Sequence, residues 1–323
     1  MQPNNLVIWS NDDFRPDQSS QQQLLVDGVG PHRLLQFERH DPRSIDALAA
    51  ADIAYGAPDP NAVVTSNRLR WIHLNSAGYT PFDTQQIKQA FQAQNKILTT
   101  SSAVYSEPCA QHLLAMMLTL ARQIPAALDS QRRDCAWPMK ELRAASRLLD
   151  GQTVVLLGYG AIARRLIELL RPFNLSVIAV RTRIEGDEDV TVVETSKVDS
   201  CLAHADHLVN TLPANDETKN FLDGGRLRSL KPGAIVYNIG RGTTLDASAL
   251  NELLREGHIA AAYLDVTDPE PLPPDHPLWQ TPNCFITPHT GGGHSNEKER
   301  QIKHFLENLR RFECGEPLLN RVV

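Results

Sequence analysis

The chain has 323 residues, 41% hydrophobic and 22% charged, with a formal net charge of −6 and a sequence pI of about 6.0. This is enough chain for two domains with a sizeable core, and the mild acidity argues against nucleic acid or an anionic membrane as partner. No apolar run approaches the roughly 18 residues that span a bilayer, Leu113–Ala121 being the longest, and Met1–Asn5 lack the charged-then-apolar pattern of a signal peptide.

The cysteines, Cys109, Cys135, Cys201, Cys284 and Cys314, are odd in number and form no Cys-x-x-Cys pair. Neither a zinc site nor a disulfide framework is expected, and a reducing cytoplasm fits. From the start to about residue 103, short apolar runs alternate with helical patterns. Leu6–Trp9, Leu34–Phe37, Ile53–Tyr55, Trp71–Leu74 and Ile97–Thr99 read as strands, and Ser44–Ala51 and Asp83–Gln92 as helices. That alternation predicts a small parallel α/β domain. Glu107–Arg122 reads as a long helix with Leu113, Leu114, Met117 and Leu118 apolar and His112 structural. Asp129–Arg147 is charged and contains Trp137-Pro138; it reads as an irregular, exposed excursion at a subunit contact.

From Gly151 the pattern predicts a second α/β domain. Its strands are Thr153–Leu157, Ser176–Val180, Thr191–Val193, His207–Thr211, Ala234–Asn238, Ala261–Asp265 and Cys284–Ile286. The first of these runs into Gly158-Tyr159-Gly160-Ala161-Ile162-Ala163. A helix follows, with Ile162, Leu166, Leu169, Leu170 and Phe173 on one face, and then the next strand. Strand, glycine turn, helix, strand is the dinucleotide-binding unit. Gly158 permits the tight turn, Gly160 lets the backbone approach a pyrophosphate, and Ala163 is small enough for helix–strand packing. The helix N-terminus then faces the phosphates. About 20 residues into the motif, an NAD-binding unit places Asp or Glu on the ribose 2′-hydroxyl. Here Arg181-Thr182-Arg183 stands there, which suits a 2′-phosphate and so NADP, with NAD also admitted. Asp246–Glu256 reads as a helix capped by Asp246, and Ser295–Cys314 as a last helix returning to the first domain.

Three segments at strand ends carry candidate chemistry. Asn238-Ile239-Gly240-Arg241-Gly242 holds an arginine between glycines, whose fork suits a carboxylate. Leu264–Pro271 contains Asp265, and Glu270 between two prolines. Ile286–Gly292 contains His289. Ligands of such sheets sit outside the carboxyl ends of the strands, so Arg, Glu and His together suggest hydride chemistry.

Those segments, with Leu157–Gly160, Val209–Pro213, Leu230–Ala234, His276–Trp279 and Pro288-His289, resemble the D-isomer-specific 2-hydroxyacid dehydrogenase family. The matching motifs span Gly151 to about Gly293, with weaker matches toward both ends. The resemblance implies an α/β fold of two Rossmann-like or flavodoxin-like domains, each a parallel sheet with helices on both faces, and an active site in the cleft between. It implies a catalytic domain over residues 1–103 plus 289–323, a dinucleotide domain over 104–288, and a homodimer through the helix around Glu107–Arg122. Arg241, Glu270 and His289 take the catalytic positions. The cofactor positions are Gly158, Tyr159, Gly160, Ala161, Ile162, Arg181, Thr182, Arg183, Thr211, Leu212, Pro213, Ile239, Asp265 (toward the nicotinamide amide) and His289. The substrate carboxylate falls to the N–H groups of Ser76, Ala77 and Gly78 and to Arg241.

On this reading His289 supplies a proton to the carbonyl oxygen of a 2-keto acid, an adjacent Glu270 favours its charged form, and Arg241 polarises the carbonyl. No metal is needed. Two features depart from the family. Gly291-Gly292-Gly293 stands where relatives often carry a hydroxyl, and Tyr55–Asp59 lacks the basic residues of relatives that take phosphorylated substrates. Glyoxylate or hydroxypyruvate, reduced to the D-2-hydroxy acid, is therefore expected, with no regulatory domain beyond Val323. The competing reading is a nucleotide-sensing binding protein of the C-terminal-binding corepressor type, which shares the triad. Formate dehydrogenases are less similar because they carry glutamine where Glu270 stands.

Overall fold

The computed structural model describes residues 5–186 and 188–323; residues 1–4, on which most of the reading of the N-terminus rests, lie outside them. The chain divides into two compact units, Met1–Tyr105 with Gly293–Val323, and Ser106–Gly292. The strands in chain order are β1 (Val7–Ser10), β2 (Arg33–Gln36), β3 (Ile53–Gly56), β4 (Trp71–Leu74), β5 (Ile97–Thr100), β6 (Thr153–Leu157), β7 (Ser176–Arg181), β8 (Thr191–Glu194), β9 (His207–Asn210), β10 (Ala234–Asn238), β11 (Ile259–Leu264) and β12 (Cys284–Ile286). The first six helices are α1 (Ser19–Gly28), α2 (Arg43–Leu48), α3 (Pro60–Thr65), α4 (Gln85–Ala93), α5 (Ser102–Ala121) and α6 (Ile124–Arg133). They are followed by α7 (Met139–Ala145), α8 (Ala161–Leu170), α9 (Asp199–Leu202), α10 (Gly224–Arg228), α11 (Ala247–Arg255) and α12 (Glu297–Cys314).

The first unit is a parallel sheet in the order β2-β1-β3-β4-β5. Its inner strands β3 and β4 are buried along their whole length, as parallel strands covered on both sides must be, whereas edge strand β2 is only partly buried. Alternation sends Ile8, Ile53, Tyr55 and Trp71 to one face, where they pack with Leu25 of α1 and Ile302, Phe305 and Leu309 of α12. Trp9, Ala54 and Ile72 point to the other face and meet Leu48, Val63 and Phe91 of α2, α3 and α4. Phe305 stacks on Tyr55 at 4.3 Å and on Trp71 at 5.4 Å. Each of these large side chains contributes roughly 1.5–3 kcal/mol by leaving water. The tail joins the same unit, Val322 N–H donating to the Leu98 carbonyl at 2.8 Å.

The second unit is a seven-stranded parallel sheet, β12-β11-β10-β9-β6-β7-β8. From β6 the chain winds outward through β7 to β8, then returns to β9 on the other side of β6. The switch point between β6 and β9 is where such sheets bind ligands. One face is filled by Val155, Leu157, Leu208, Val236 and Leu264 of the strands with Leu250, Leu253 and Leu254 of α11. Asp246 caps α11 by accepting from the N–H groups of Ser248 and Ala249.

Two expectations are corrected. Asp129–Arg147 is not irregular: α6 ends in it and α7 lies within it. Neither helix buries a residue, so no core stripe marked them, and prolines at their starts read as breaks. β11 begins two residues before the expected Ala261 and ends one before Asp265, its pairing with β10 starting at Ile259 and shifting register between Ala234 and Ile235. His112 stacks on Tyr263, 5.5 Å between ring centroids, as a structural residue does.

Candidate active site

The glycine turn lies at the switch point. Gly158 has φ +97°, which favours glycine, and its N–H donates to the Val180 carbonyl at 2.9 Å. That bond sets Arg181, the last residue of β7, beside the turn. A Cβ on Gly158 would lie 2.8 Å from Thr211 Oγ1, whose hydroxyl donates to the Leu157 carbonyl. Thr211 thus closes β9 onto β6, with Leu212 and Pro213 continuing from it. A Cβ on Gly160 would meet no atom within 4 Å, so no protein packing requires glycine there and the surface is open to a ligand. Gly160 leaves α8 without a side-chain cap. Among the described residues, the N–H groups of Ala161, Ile162 and Ala163 make no hydrogen bond. An open turn ahead of unpaired donors fits a pyrophosphate.

Tyr159 points elsewhere. Its ring lies under Arg164 at 4.3 Å and Arg181 at 5.6 Å, and its hydroxyl donates to Asp189. Arg181 is paired in turn: Nη1 donates to Glu188 Oε1 at 2.6 Å, and Nη2 lies 2.7 Å from Glu185 Oε1. Thr182 and Arg183 are exposed just past the strand.

At the ends of β10, β11 and β12 three loops pack closely. A Cβ on Gly240 would lie 2.6 Å from the Leu212 carbonyl oxygen, and one on Gly242 would lie 2.0 Å from Thr267 backbone atoms. The glycines around Arg241 therefore serve close packing and not looseness. The Arg241 carbonyl accepts from Asn238 Nδ2 and Thr244 Oγ1, and its own Nη1 donates to the Gly240 carbonyl at 2.6 Å. Ile239 is buried beside it.

His289 Nδ1 lies 2.5 Å from Glu270 Oε1, and both side chains are about half exposed. The Asp268–Pro269 and Glu270–Pro271 bonds are cis. His289 has φ +52°, an uncommon conformation for a side-chain-bearing residue and one that clusters at functional sites. What holds it there is Asp265. The buried Asp265 carboxylate accepts from Thr287 Oγ1 at 2.6 Å and from the N–H groups of Thr290 and Gly291 at 2.9 and 3.0 Å. Its carbonyl takes the His289 N–H at 2.9 Å. Gly291 is required there, because its Cβ would lie 2.6 Å from Ile239 and 2.8 Å from Asp265 Oδ2.

Sequence reasoning missed this support. Tyr263 donates toward Asp265 and shares a 2.6 Å hydrogen bond with Thr287. Asn210 donates to Asn238 and to Thr244 at 2.6 Å, tying the ends of β9 and β10. Buried Asn and Thr at consecutive strand ends were the available signal. Cys109 also lies in the electrostatic reach of Asp265 and Arg241; burial, then Asp265, pushes its thiol up to about 12, so it is no nucleophile.

In the first unit, Ser76, Ala77 and Gly78 follow β4. Ser76 Oγ donates to the Gly78 carbonyl, and the Ser76 carbonyl accepts from Ser101. The three backbone N–H groups make no hydrogen bond among the described residues. Asn75 anchors the loop: its side chain donates to Asp12, and its carbonyl accepts from Tyr105 and Gln301.

A parallel sheet with an open glycine turn and a His–carboxylate pair at its strand ends defines a dinucleotide-binding α/β unit equipped for acid–base work. The model of the D-isomer specific 2-hydroxyacid dehydrogenase NAD binding domain matches residues 114–291, and the chain belongs to that family. It is 41% identical over 182 residues to an uncharacterized protein in the proB 3′ region of Corynebacterium melassecola, covering 55% of this chain and 59% of that protein. It is 33% identical over 264 residues to the glyoxylate reductase of Aeropyrum pernix, covering 79% of this chain and 78% of that one. In fold alone it resembles a D-isomer specific 2-hydroxyacid dehydrogenase from Xanthobacter autotrophicus, solved with NADPH and MES. That likeness has a TM-score of 0.82 at 24% identity, over 99% of this chain and 98% of that one.

Proposed function

We propose that the protein is an NADPH-preferring reductase of small 2-keto acids, glyoxylate or hydroxypyruvate, forming the D-2-hydroxy acid. The observation that carries this is the 2.5 Å contact of His289 with Glu270 at the strand ends of the dinucleotide sheet. With Nδ1 turned to the carboxylate, His289 Nε2 is the ring atom left to give a proton to a carbonyl oxygen. Arg241 is the positive group for the carbonyl and carboxylate. The bound nicotinamide supplies the hydride. Gly158, Gly160, Ala161 and Ile162 would hold its pyrophosphate, Thr211, Leu212, Pro213 and Ile239 would line its path, and Asp265 would take the amide. Arg181, Thr182 and Arg183 would read the ribose, with Tyr159 backing Arg181. In the first unit we assign the N–H groups of Ser76, Ala77 and Gly78 to a carboxylate, because consecutive unpaired donors form an anion nest. The absence of a basic residue from Tyr55–Asp59 supports an unphosphorylated acid.

We also propose a homodimer through the region of α5 to α7, where Trp137 is 90% and Met139 49% exposed, in a reducing cytoplasm that suits five free thiols. No helix among the described residues is long and apolar enough to cross a membrane. The test of function is oxidation of NADPH and of NADH against a panel of 2-keto acids. Turnover of glyoxylate or hydroxypyruvate, faster with NADPH and with the preference abolished in Arg181→Asp, supports the reading. Tight dinucleotide binding with no turnover of any keto acid favours the sensor reading instead.

A further inference from the structure

The loop that follows Arg181 already engages the guanidinium proposed above to receive the 2′-phosphate. Arg181 is not a bare cation. Glu188 holds Nη1 and Glu185 holds Nη2, both from the same short excursion after β7. The two carboxylates are built differently. The Glu188 side chain is 4% exposed, and it accepts from the Glu185 N–H at 2.9 Å and the Gly186 N–H at 2.8 Å as well as from Arg181. The Glu185 N–H, then that of Gly186, then Arg181 hold its carboxyl down at about 2, so it is ionised throughout the working range. Glu185 is 52% exposed and meets Arg181 along the guanidinium's other edge. The face of the guanidinium is engaged by the Tyr159 ring. Moving Glu188 breaks the two backbone bonds that shape the loop; moving Glu185 breaks its ion pair at a water-exposed edge.

We propose that Glu188 is a fixed positioning residue for Arg181, and that Glu185 is a specificity-determining counter-ion occupying the edge that a 2′-phosphate takes when NADPH binds. This rests on the NADPH reading above. On it, Glu185 competes with the phosphate of NADPH, has no counterpart to displace when NADH binds, and so lowers the cofactor preference that Arg181 and Arg183 set. Removing its charge raises that preference. An exposed ion pair contributes little, so the change is modest, roughly 3- to 10-fold.

The experiment is titration of NADPH, NADH, 2′,5′-ADP and 5′-AMP into wild type, Glu185→Gln and Glu188→Gln, with intrinsic fluorescence or heat as readout. The expected result is a NADPH-to-NADH affinity ratio, and a 2′,5′-ADP-to-5′-AMP ratio, that both rise several-fold in Glu185→Gln. In Glu188→Gln both ratios fall, because Arg181 loses its fixed partner. If wild type binds both dinucleotides and both ratios are unchanged in Glu185→Gln, the inference is overturned while the dehydrogenase reading stands. If wild type binds neither dinucleotide, the functional reading itself fails and the inference goes with it.

Discussion

His289 stands on a residue-level arrangement in which each support has one task. Asp265 fixes the backbone of the turn, and Glu270 fixes the ring. The ring is half exposed, and among the described residues the Glu270 contact is the hydrogen bond that orients it. Glu270→Ala should therefore lower kcat for glyoxylate by about 10-fold or more while leaving dinucleotide affinity within a few-fold, since a proton donor works only when held within reach. Unchanged kcat would remove Glu270 from the mechanism. Arg241→Lys keeps a charge but loses the planar fork, and the Gly240 carbonyl that Arg241 Nη1 now meets at 2.6 Å loses its partner. Both KM and kcat for the keto acid should worsen, and wild-type kinetics in this variant would place carboxylate binding elsewhere.

At the scale of elements, close packing and buried titration make the testable statements. Gly242→Ala forces a Cβ to within 2.0 Å of Thr267 backbone atoms, and backbone cannot step aside as a flexible side chain does. A loss of roughly 1–3 kcal/mol of stability is expected, with activity falling further than stability because the Arg241 and Glu270 loops are the two that must part. A fully active, equally stable Gly242→Ala would refute that packing. His207 of β9 is buried between Tyr237 and Gln152. Burial pushes its imidazole from the usual 6.5 down to about 4. In the unfolded chain it takes up a proton near pH 6.5, so between those values the unfolded state binds more protons. Its contribution is complete above about pH 6.5 and is lost as pH falls toward 4, a few kcal/mol in all. Buried His73 of β4 is depressed in the same direction, so the chain keeps some acid sensitivity. In His207→Gln the fall in thermal midpoint between pH 6.5 and 4.5 should be shallower; a parallel pH dependence in variant and wild type would contradict this. Elements were legible where burial wrote them into the sequence. Thr153–Leu157, Ala234–Asn238, Trp71–Leu74 and Cys284–Ile286 are apolar because helices cover or flank them, and their apolar runs coincide with the observed strand bounds. The helices α6 and α7 were not legible because they bury nothing. The Arg241, Glu270 and His289 positions were legible as residue types at strand ends, whereas the Asp265–Thr287–Tyr263 support and the Glu185–Glu188 pairing of Arg181 were not. Such hydrogen bonds join residues whose spacing in sequence carries no period.

For the whole molecule, two units with separate sheets agree with what length and alternation suggested, and membership of the 2-hydroxyacid dehydrogenase family organises the rest. Exposed Trp137 and Met139 line one surface groove with Leu142, and the proposed dimer would cover that apolar surface. Light scattering should give twice the 35.9 kDa chain mass, and Trp137→Glu with Met139→Glu should shift it toward the single chain; a monomeric wild type would contradict the dimer. The central claim is that His289 delivers the proton in a dinucleotide-dependent reduction. The measurement that meets it most directly is glyoxylate reduction by His289→Ala, with NADPH affinity determined on the same preparation. The account predicts a kcat lower by about 10²–10⁴-fold with NADPH affinity within a few-fold of wild type. A variant that binds NADPH and reduces glyoxylate at near wild-type rate would contradict it.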